Sequence, residues 1–259
     1  MSPDPLTDPP SRFALMSVTL TTSSGVLRGR VSVDTGPMRL AELVPTAYEL
    51  TNVLVAQAAQ WEQKEGRRIS CRAGCGTCCR QMVAISPPEA FYLMDLLDSF
   101  EPARRAEVME RIEKIVGELE RQQMTGELMN PAYTDEVVLP IARKYFFLGM
   151  PCPFLVDESC SIHPHRPVVC REYNVTSPPE LCVDPVVNDI TKVPMPLPLA
   201  VPLARLTAEL TGAPPRLIPL PLVPRWITQH EEVRQRQWPG LELFQRLIQM
   251  LGPSSAPDG

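Results

Sequence analysis

No apolar run in the chain approaches the roughly 18–20 residues that a membrane-crossing helix needs. Nor is there a basic excess, because 25 Lys and Arg stand against 30 Asp and Glu. Non-specific binding to nucleic acid or to an anionic membrane draws on such an excess, or on a long basic stripe, so neither partner is expected. The first twenty residues lack a positively charged start followed by an uninterrupted apolar stretch, and a cytoplasmic protein is expected. Common catalytic sets are missing too. There is no Ser/His/Asp combination, no glycine-rich phosphate loop and no pair of acids beside the cysteines.

Cysteine is sparse, but it is not scattered. Eight in 259 residues is far below the roughly 8–10% of a secreted disulfide scaffold. A chain of this length can bury an ordinary core and needs no staples on account of size. All eight lie in two segments: Cys71, Cys75, Cys78 and Cys79, then Cys152, Cys160, Cys170 and Cys182. Clustered cysteines in a reducing compartment read as metal ligands or redox groups. The adjacent pair Cys78–Cys79 resists a simple bridge, since neighbouring Cα atoms are about 3.8 Å apart, below the usual disulfide range.

The spacing supports ligation. Three residues separate Cys71 from Cys75 and two separate Cys75 from Cys78, within the reach of one loop around one ion or cluster. Gly74 and Gly76 let that loop wrap closely. Four thiolates suit zinc or an iron–sulfur cluster, and all eight cysteines are candidate metal ligands. Cys182 could instead pack as a small buried hydrophobe. Thiolates around a metal leave negative charge, and arginines are dense beside them: Arg67, Arg68, Arg72 and Arg80, then Arg166 and Arg171. A cation nearby lowers a thiol pKa; an arginine there can also be only a carboxylate partner. His163 and His165 could each complete a Cys₃His set or serve only as hydrogen-bond donors. His163, Arg166 and Arg171 are therefore candidates for ligation or for support of the ligands. His230, far away in sequence, is read as surface.

The remaining pattern predicts a mainly α protein with irregular cysteine-rich loops. Residues 1–12 read as a loose tail. Residues 13–66 read as a unit comprising a β-hairpin between Met16 and Val33, turning at Thr21–Gly25, and a helix from Pro45 to Lys64. That helix would bury Ala47, Leu50, Leu54, Ala58 and Trp61 and stop at Gly66. In a cysteine-cluster unit at 67–182, Ser86-Pro87-Pro88-Glu89 matches a capping box opening a helix to Ser99. A second helix after Pro102 carries Val108, Ile112, Ile115, Val116 and Leu119. Paired as a helix hairpin, the two would return the chain so that Cys79 and Cys152 could meet. Residues 151–182 read as irregular loop. In the last unit, 183–259, the proline-rich apolar stretch 194–224 is expected to pack in extended form on the domain. Its sharper reading is a ligand for a proline-binding protein partner. A final helix spans Leu241–Leu251.

Cys71-x3-Cys75-x2-Cys78-Cys79, then Cys-Pro-Phe-Leu at 152–155, Cys160-Ser-Ile-His163 and Arg166-Pro-Val-Val-Cys170-Arg171, resembles the cysteine-cluster family described as zinc- or iron-chelating domains. The resemblance covers about residues 67–182 and implies a metal-chelating domain. Some relatives are flagellin lysine N-methylases, which implies an iron–sulfur-dependent methyl-transfer or redox enzyme as the alternative to a metal-binding protein without catalysis. No methylase-specific residue stands in this chain. A radical S-adenosylmethionine enzyme shares the Cys71-x3-Cys75-x2-Cys78 spacing. Thr77, however, replaces the aromatic residue common before the last cysteine, and no alternation of strands and helices follows to make a barrel.

Overall fold

The computed structural model describes residues 12–22, 25–129 and 135–251. The tail expected at 1–12 lies outside them except for Arg12, as do Ser23 and Ser24 of the expected turn.

Strands β1 (Phe13–Thr22) and β2 (Gly25–Asp34) pair antiparallel from Phe13↔Asp34 to Thr22↔Gly25, the expected hairpin. One face carries Val18, Leu20 and Val33 into the core while Phe13 and Leu15 stay exposed, the alternation of a half-buried ribbon. The short strand β3 (Pro37–Arg39) leads into helix α1 (Leu40–Lys64).

Helix α1 starts five residues before the predicted Pro45. Glu42 reaches back to accept the Arg39 N–H at 2.6 Å, which caps the start. Leu40, Ala41, Leu43 and Val44 are all fully buried. An interior proline costs about 3 kcal/mol, and burying each Leu or Val recovers about 1.5–3 kcal/mol, so packing wins. The buried face runs through Ala47, Tyr48, Thr51, Leu54, Ala58 and Glu62. Leu50 is only partly buried and Trp61 is 47% exposed, so the stripe turns away from the predicted line. Gly66, at φ +75°, ends the helix as expected.

Strand β4 (Ala84–Ile85) precedes α2 (Pro87–Asp98), whose Ser86 N–H and hydroxyl both donate to Glu89 in the predicted box. Helix α3 (Pro102–Arg121) buries the five predicted apolar residues. The two helices do not make the expected mutual hairpin. Helix α2 packs chiefly on α1, while α3 packs on a 3-10 turn at Leu220–Leu222. Two helices follow that the sequence pattern did not reveal, α4 (Thr125–Leu128) and α5 (Asp135–Phe147). Pro140 inside α5 breaks the pattern from which a helix is read.

The second cysteine segment is irregular, but short elements punctuate it. They are a hairpin of β5 (Leu155–Val156) with β6 (Ser159–Cys160), a 3-10 turn at His163–His165, helix α6 (Val168–Glu172), and a 3-10 turn at Pro179–Val183. The proline-rich stretch is not extended throughout, because residues 200–211 form helix α7 (Ala200–Thr211). Pro202 sits in its first turn, where no intrahelical N–H is needed. Leu203 and Leu206 turn inward, and Gly212 at φ +71° caps its end. Strand β7 (Ile218–Pro219) pairs with β4, and α8 (Val223–Thr228) and α9 (Glu231–Gln235) follow. Strand β8 (Gln237–Pro239) pairs with β3, and α10 (Gly240–Met250) follows where a helix over Leu241–Leu251 is expected. One apolar cluster reaches from Val18 to Leu251, so residues far apart in sequence share a core.

Candidate metal centre

The first cysteine loop leaves α1 through Arg67, whose guanidinium pairs with buried Glu62 at 2.6 Å. The Ser70 N–H donates to the Val175 carbonyl at 2.9 Å, and the Ser70 hydroxyl donates to the Thr176 carbonyl at 3.0 Å. One end of the loop is thereby stitched to the strand-like backbone after α6. A turn closed by the Cys75 N–H on the Arg72 carbonyl carries Gly74 at φ +79°, a conformation L side chains resist. Thr77–Arg80 then form a single 3-10 turn bearing Cys78 and Cys79.

The other end of the loop is joined to the second segment. The Cys152 N–H donates to the Cys79 carbonyl at 2.7 Å. Arg80 forks onto both carboxylate oxygens of Glu158, at 2.6 and 3.0 Å. Gly76 faces the β5–β6 hairpin so closely that an added Cβ would lie 2.6 Å from Leu155 Cδ1 and 3.0 Å from the Glu158 carbonyl oxygen. The hairpin turns through Asp157 and Glu158, both at positive φ. Glu is unusual there, and the turn carries no glycine to announce it in the sequence.

All eight cysteines line one cavity of about 330 Å³. None is in a disulfide, Cys71 is exposed, and Cys182 is buried as its alternative core reading allowed. Burial is the main cause that raises the thiols of Cys71, Cys160, Cys170 and Cys182, and it pushes Cys152 up to about 12. For Cys78 the largest cause is a hydrogen bond with Cys79, with burial second. Protonated thiols are poor ligands, so a soft cation entering this cavity must displace protons.

The other candidates divide. Arg166 lines the cavity, and its charge opposes the rise at Cys71, Cys78 and Cys160. Its Nε is buried with no hydrogen-bond partner. His163 also lines the cavity and contacts Arg166. His165 instead meets the Tyr92 hydroxyl at 2.7 Å through Nδ1, and His230 stacks on Trp226 with ring centres 4.0 Å apart.

Arg171 is a support and not a cavity residue. Its guanidinium donates to the Arg166 and Pro164 carbonyls and to Asn52 Oδ1, and lies 4.2 Å from the Tyr48 ring centre. Of the remaining arginines, Arg67 and Arg80 serve carboxylates, whereas Arg72 lines the cavity. Sequence reasoning did not single out Glu89, whose carboxylate accepts the Val168 N–H at 2.7 Å and so positions the helix carrying Cys170. Its place in the α2 capping box hid this second task. Tyr173 and Asn174, which also line the cavity, carried no signal.

Among the described residues, no three Cys, His, Asp or Glu side chains are gathered tightly enough to hold a single ion. The donor set fits a thiophilic metal by its chemistry.

Residues 70–186 match the model of the cysteine-cluster family described as "Putative zinc- or iron-chelating domain". The match takes in all eight cysteines and somewhat under half of the chain. No curated protein and no solved structure matches the chain.

Proposed function

We propose, from the premise that residues 70–186 are a domain of this zinc- or iron-chelating family, that the chain binds an iron–sulfur group through the thiolates of its one cysteine-lined cavity. The observation that carries this reading is that two segments separated by residues 80–151 bring every cysteine of the chain to the same walls. Cys71, Cys75, Cys78, Cys79, Cys152, Cys160, Cys170 and Cys182 are the candidate ligands. A cluster takes one thiolate at each of several metal atoms, which suits dispersed donors better than the closed tetrahedron of zinc. Such a group supplies one-electron chemistry when bound. The residues around it have separate tasks: Arg166 offsets thiolate charge, Arg171 and Glu89 hold the loop and helix beside Cys170, and Glu158 pins the first loop through Arg80.

A second reading is that the centre acts on a substrate, by methyl transfer or electron transfer. The exposure of Cys71 favours it, because one side of the cavity reaches solvent. Elemental analysis with a visible spectrum of anaerobically purified protein tests the main proposal. Iron, acid-labile sulfide and colour are expected. Colourless protein holding zinc would replace the cluster by a zinc–thiolate centre, and protein holding neither metal under reducing conditions would end the chelation reading.

A further inference from the structure

The hairpin of β1 and β2 is a two-stranded ribbon, and among the described residues no other strand pairs with either. Its two edges are not alike. Strand β2 carries Arg28, Gly29 and Arg30, and helix α10 packs against it. Gly240 of that helix lies so near the Asp34 carbonyl oxygen that an added Cβ would clash with it. Strand β1 holds no charged residue, proline or glycine from Phe13 to Thr22, and its register runs without a bulge. Charges, prolines and bulges are the devices that keep a free edge from pairing, and β1 has none of them.

The direction of its backbone groups follows from the register. The Thr35 N–H donates to the Arg12 carbonyl at 2.8 Å, so Arg12 and Thr35 are a hydrogen-bonded pair. Bonded and unbonded pairs alternate along an antiparallel ladder. Ala14, Met16, Val18 and Leu20 therefore bond to β2, and the N–H and C=O groups of Leu15, Ser17, Thr19 and Thr21 point away from it. The side chains of these residues are exposed as well, Leu15 among them.

We propose that this edge pairs antiparallel with β1 of a second copy of the chain, about a two-fold axis at Ser17, giving one continuous sheet of both hairpins. What joins a strand edge is another extended strand, and β1 itself fits. Ser17 lies midway between Leu15 and Thr19. About that axis Ser17 meets Ser17, and Leu15 meets Thr19 of the second copy, so outward groups face outward groups. The junction sets no charge against a like charge. The two copies of Arg30, each the cross-strand partner of Ser17, stand three strand spacings apart, about 14 Å. That exceeds the screening length of about 8 Å in physiological salt. Exposed Leu15 gains cover from Thr19 of the second copy and from Arg28 beyond it, the cross-strand partner of Thr19. Such a pairing closes as a dimer, because each copy uses its one bare edge.

The test uses the full chain under reducing conditions, so that no intermolecular disulfide contributes. Sedimentation equilibrium of wild type should show monomer and dimer in exchange. Hydrogen exchange over residues 13–22 should slow as protein concentration rises. Ser17→Lys and Ser17→Glu each set like charges opposite one another at the axis and should weaken dimerisation about threefold or more. Their melting temperatures should match wild type, because the Ser17 side chain is exposed. Mixed in equal amounts, the two variants should recover the dimer, since unlike charges then meet. A wild type that stays monomeric to its solubility limit, with exchange over 13–22 independent of concentration, overturns the proposal. So does a dimer that neither variant weakens, or a mixture that dimerises no better than its components.

Discussion

The backbone N–H of Cys152 donates to the carbonyl of Cys79 over 2.7 Å, so the two cysteine segments are hydrogen-bonded at the cavity itself. Around this bond the Arg80–Glu158 pair and the Gly76 contact with the β5–β6 hairpin make a small clamp.

The clamp predicts an asymmetry between two neighbouring glycines. Gly76→Ala forces a Cβ against Leu155 and the Glu158 backbone, and should cost about 1–3 kcal/mol as overpacking does. Gly74→Ala meets nothing within 4 Å, so it should cost only the roughly 1–2 kcal/mol of a left-handed backbone. In metal-retention assays the first should release metal faster and the second should not. Equal retention would mean that the close approach at Gly76 does not shape the site.

Arg80 and Glu158 are respectively 35% and 53% exposed, and their geometry is bidentate. Solvent screening limits even a well-formed exposed pair, so a double-mutant cycle should return a coupling under about 1 kcal/mol. A coupling above about 3 kcal/mol would require the pair to be desolvated in solution.

Arg171→Ala removes three donated hydrogen bonds and a contact with the Tyr48 ring. The carbonyls of Pro164 and Arg166 lose their partner, and a loss of about 2–4 kcal/mol follows. Metal should leave faster under chelator challenge, because those carbonyls belong to the loop before Cys170. Lys cannot reproduce a planar fork that reaches three acceptors, so Arg171→Lys should restore little. Full rescue by Lys would show that charge alone matters there.

Glu89 sets a pH dependence. Burial raises its carboxyl, against the opposing pull of the Val168 and Ser86 hydrogen bonds and the charge of Arg171. The folded state therefore holds this proton more tightly than the unfolded chain. The group penalises folding while ionised, above its raised pKa, and the penalty relaxes as pH falls toward the unfolded value. Glu89→Gln has no such gain, so its deficit against wild type should widen from about pH 7 to about pH 4. Thermal melts with chelator present measure this, and a deficit constant over that range contradicts it.

Metal removal should loosen the second segment unevenly. Phe154, Ile162, Val168 and Val175 are buried and anchor it independently of any ligand, whereas Val156, Val183 and Val187 are exposed. Limited proteolysis after chelation under reducing conditions should quicken at the β5–β6 hairpin and around 183–187, while 168–175 stays resistant. Unchanged cleavage, with the metal shown to have left, would mean that ligation does not hold these loops.

The parts of this molecule that were legible in sequence are those fixed by local chemistry. The Ser86–Glu89 box, the glycine stop at Gly66 and the stripe from Val108 to Leu119 each depend on residues a few positions apart. The clustering of the cysteines carried the candidate site in the same way. What stayed hidden depends on distant partners or on a proline read too literally. Leu40 starts α1 because its neighbours are buried elsewhere, and Pro202 opens a helix where an extended run was expected. The β5–β6 turn uses Asp157 and Glu158 at positive φ without the glycine that would mark it. Arg171, a candidate for ligation or for support of the ligands, braces backbone carbonyls, a distinction that only geometry can draw.

The pairing of β4 with β7 and of β3 with β8 also has a consequence for biosynthesis. On a ribosome, all eight thiols emerge before Ile218–Pro219 and Gln237–Pro239 do. Leu220, one wall of the cavity, follows directly after the first of these strands. The nascent chain therefore exposes a complete set of cysteines that is not yet enclosed. Until these strands have emerged, whatever loads or oxidises the thiols has its easiest access.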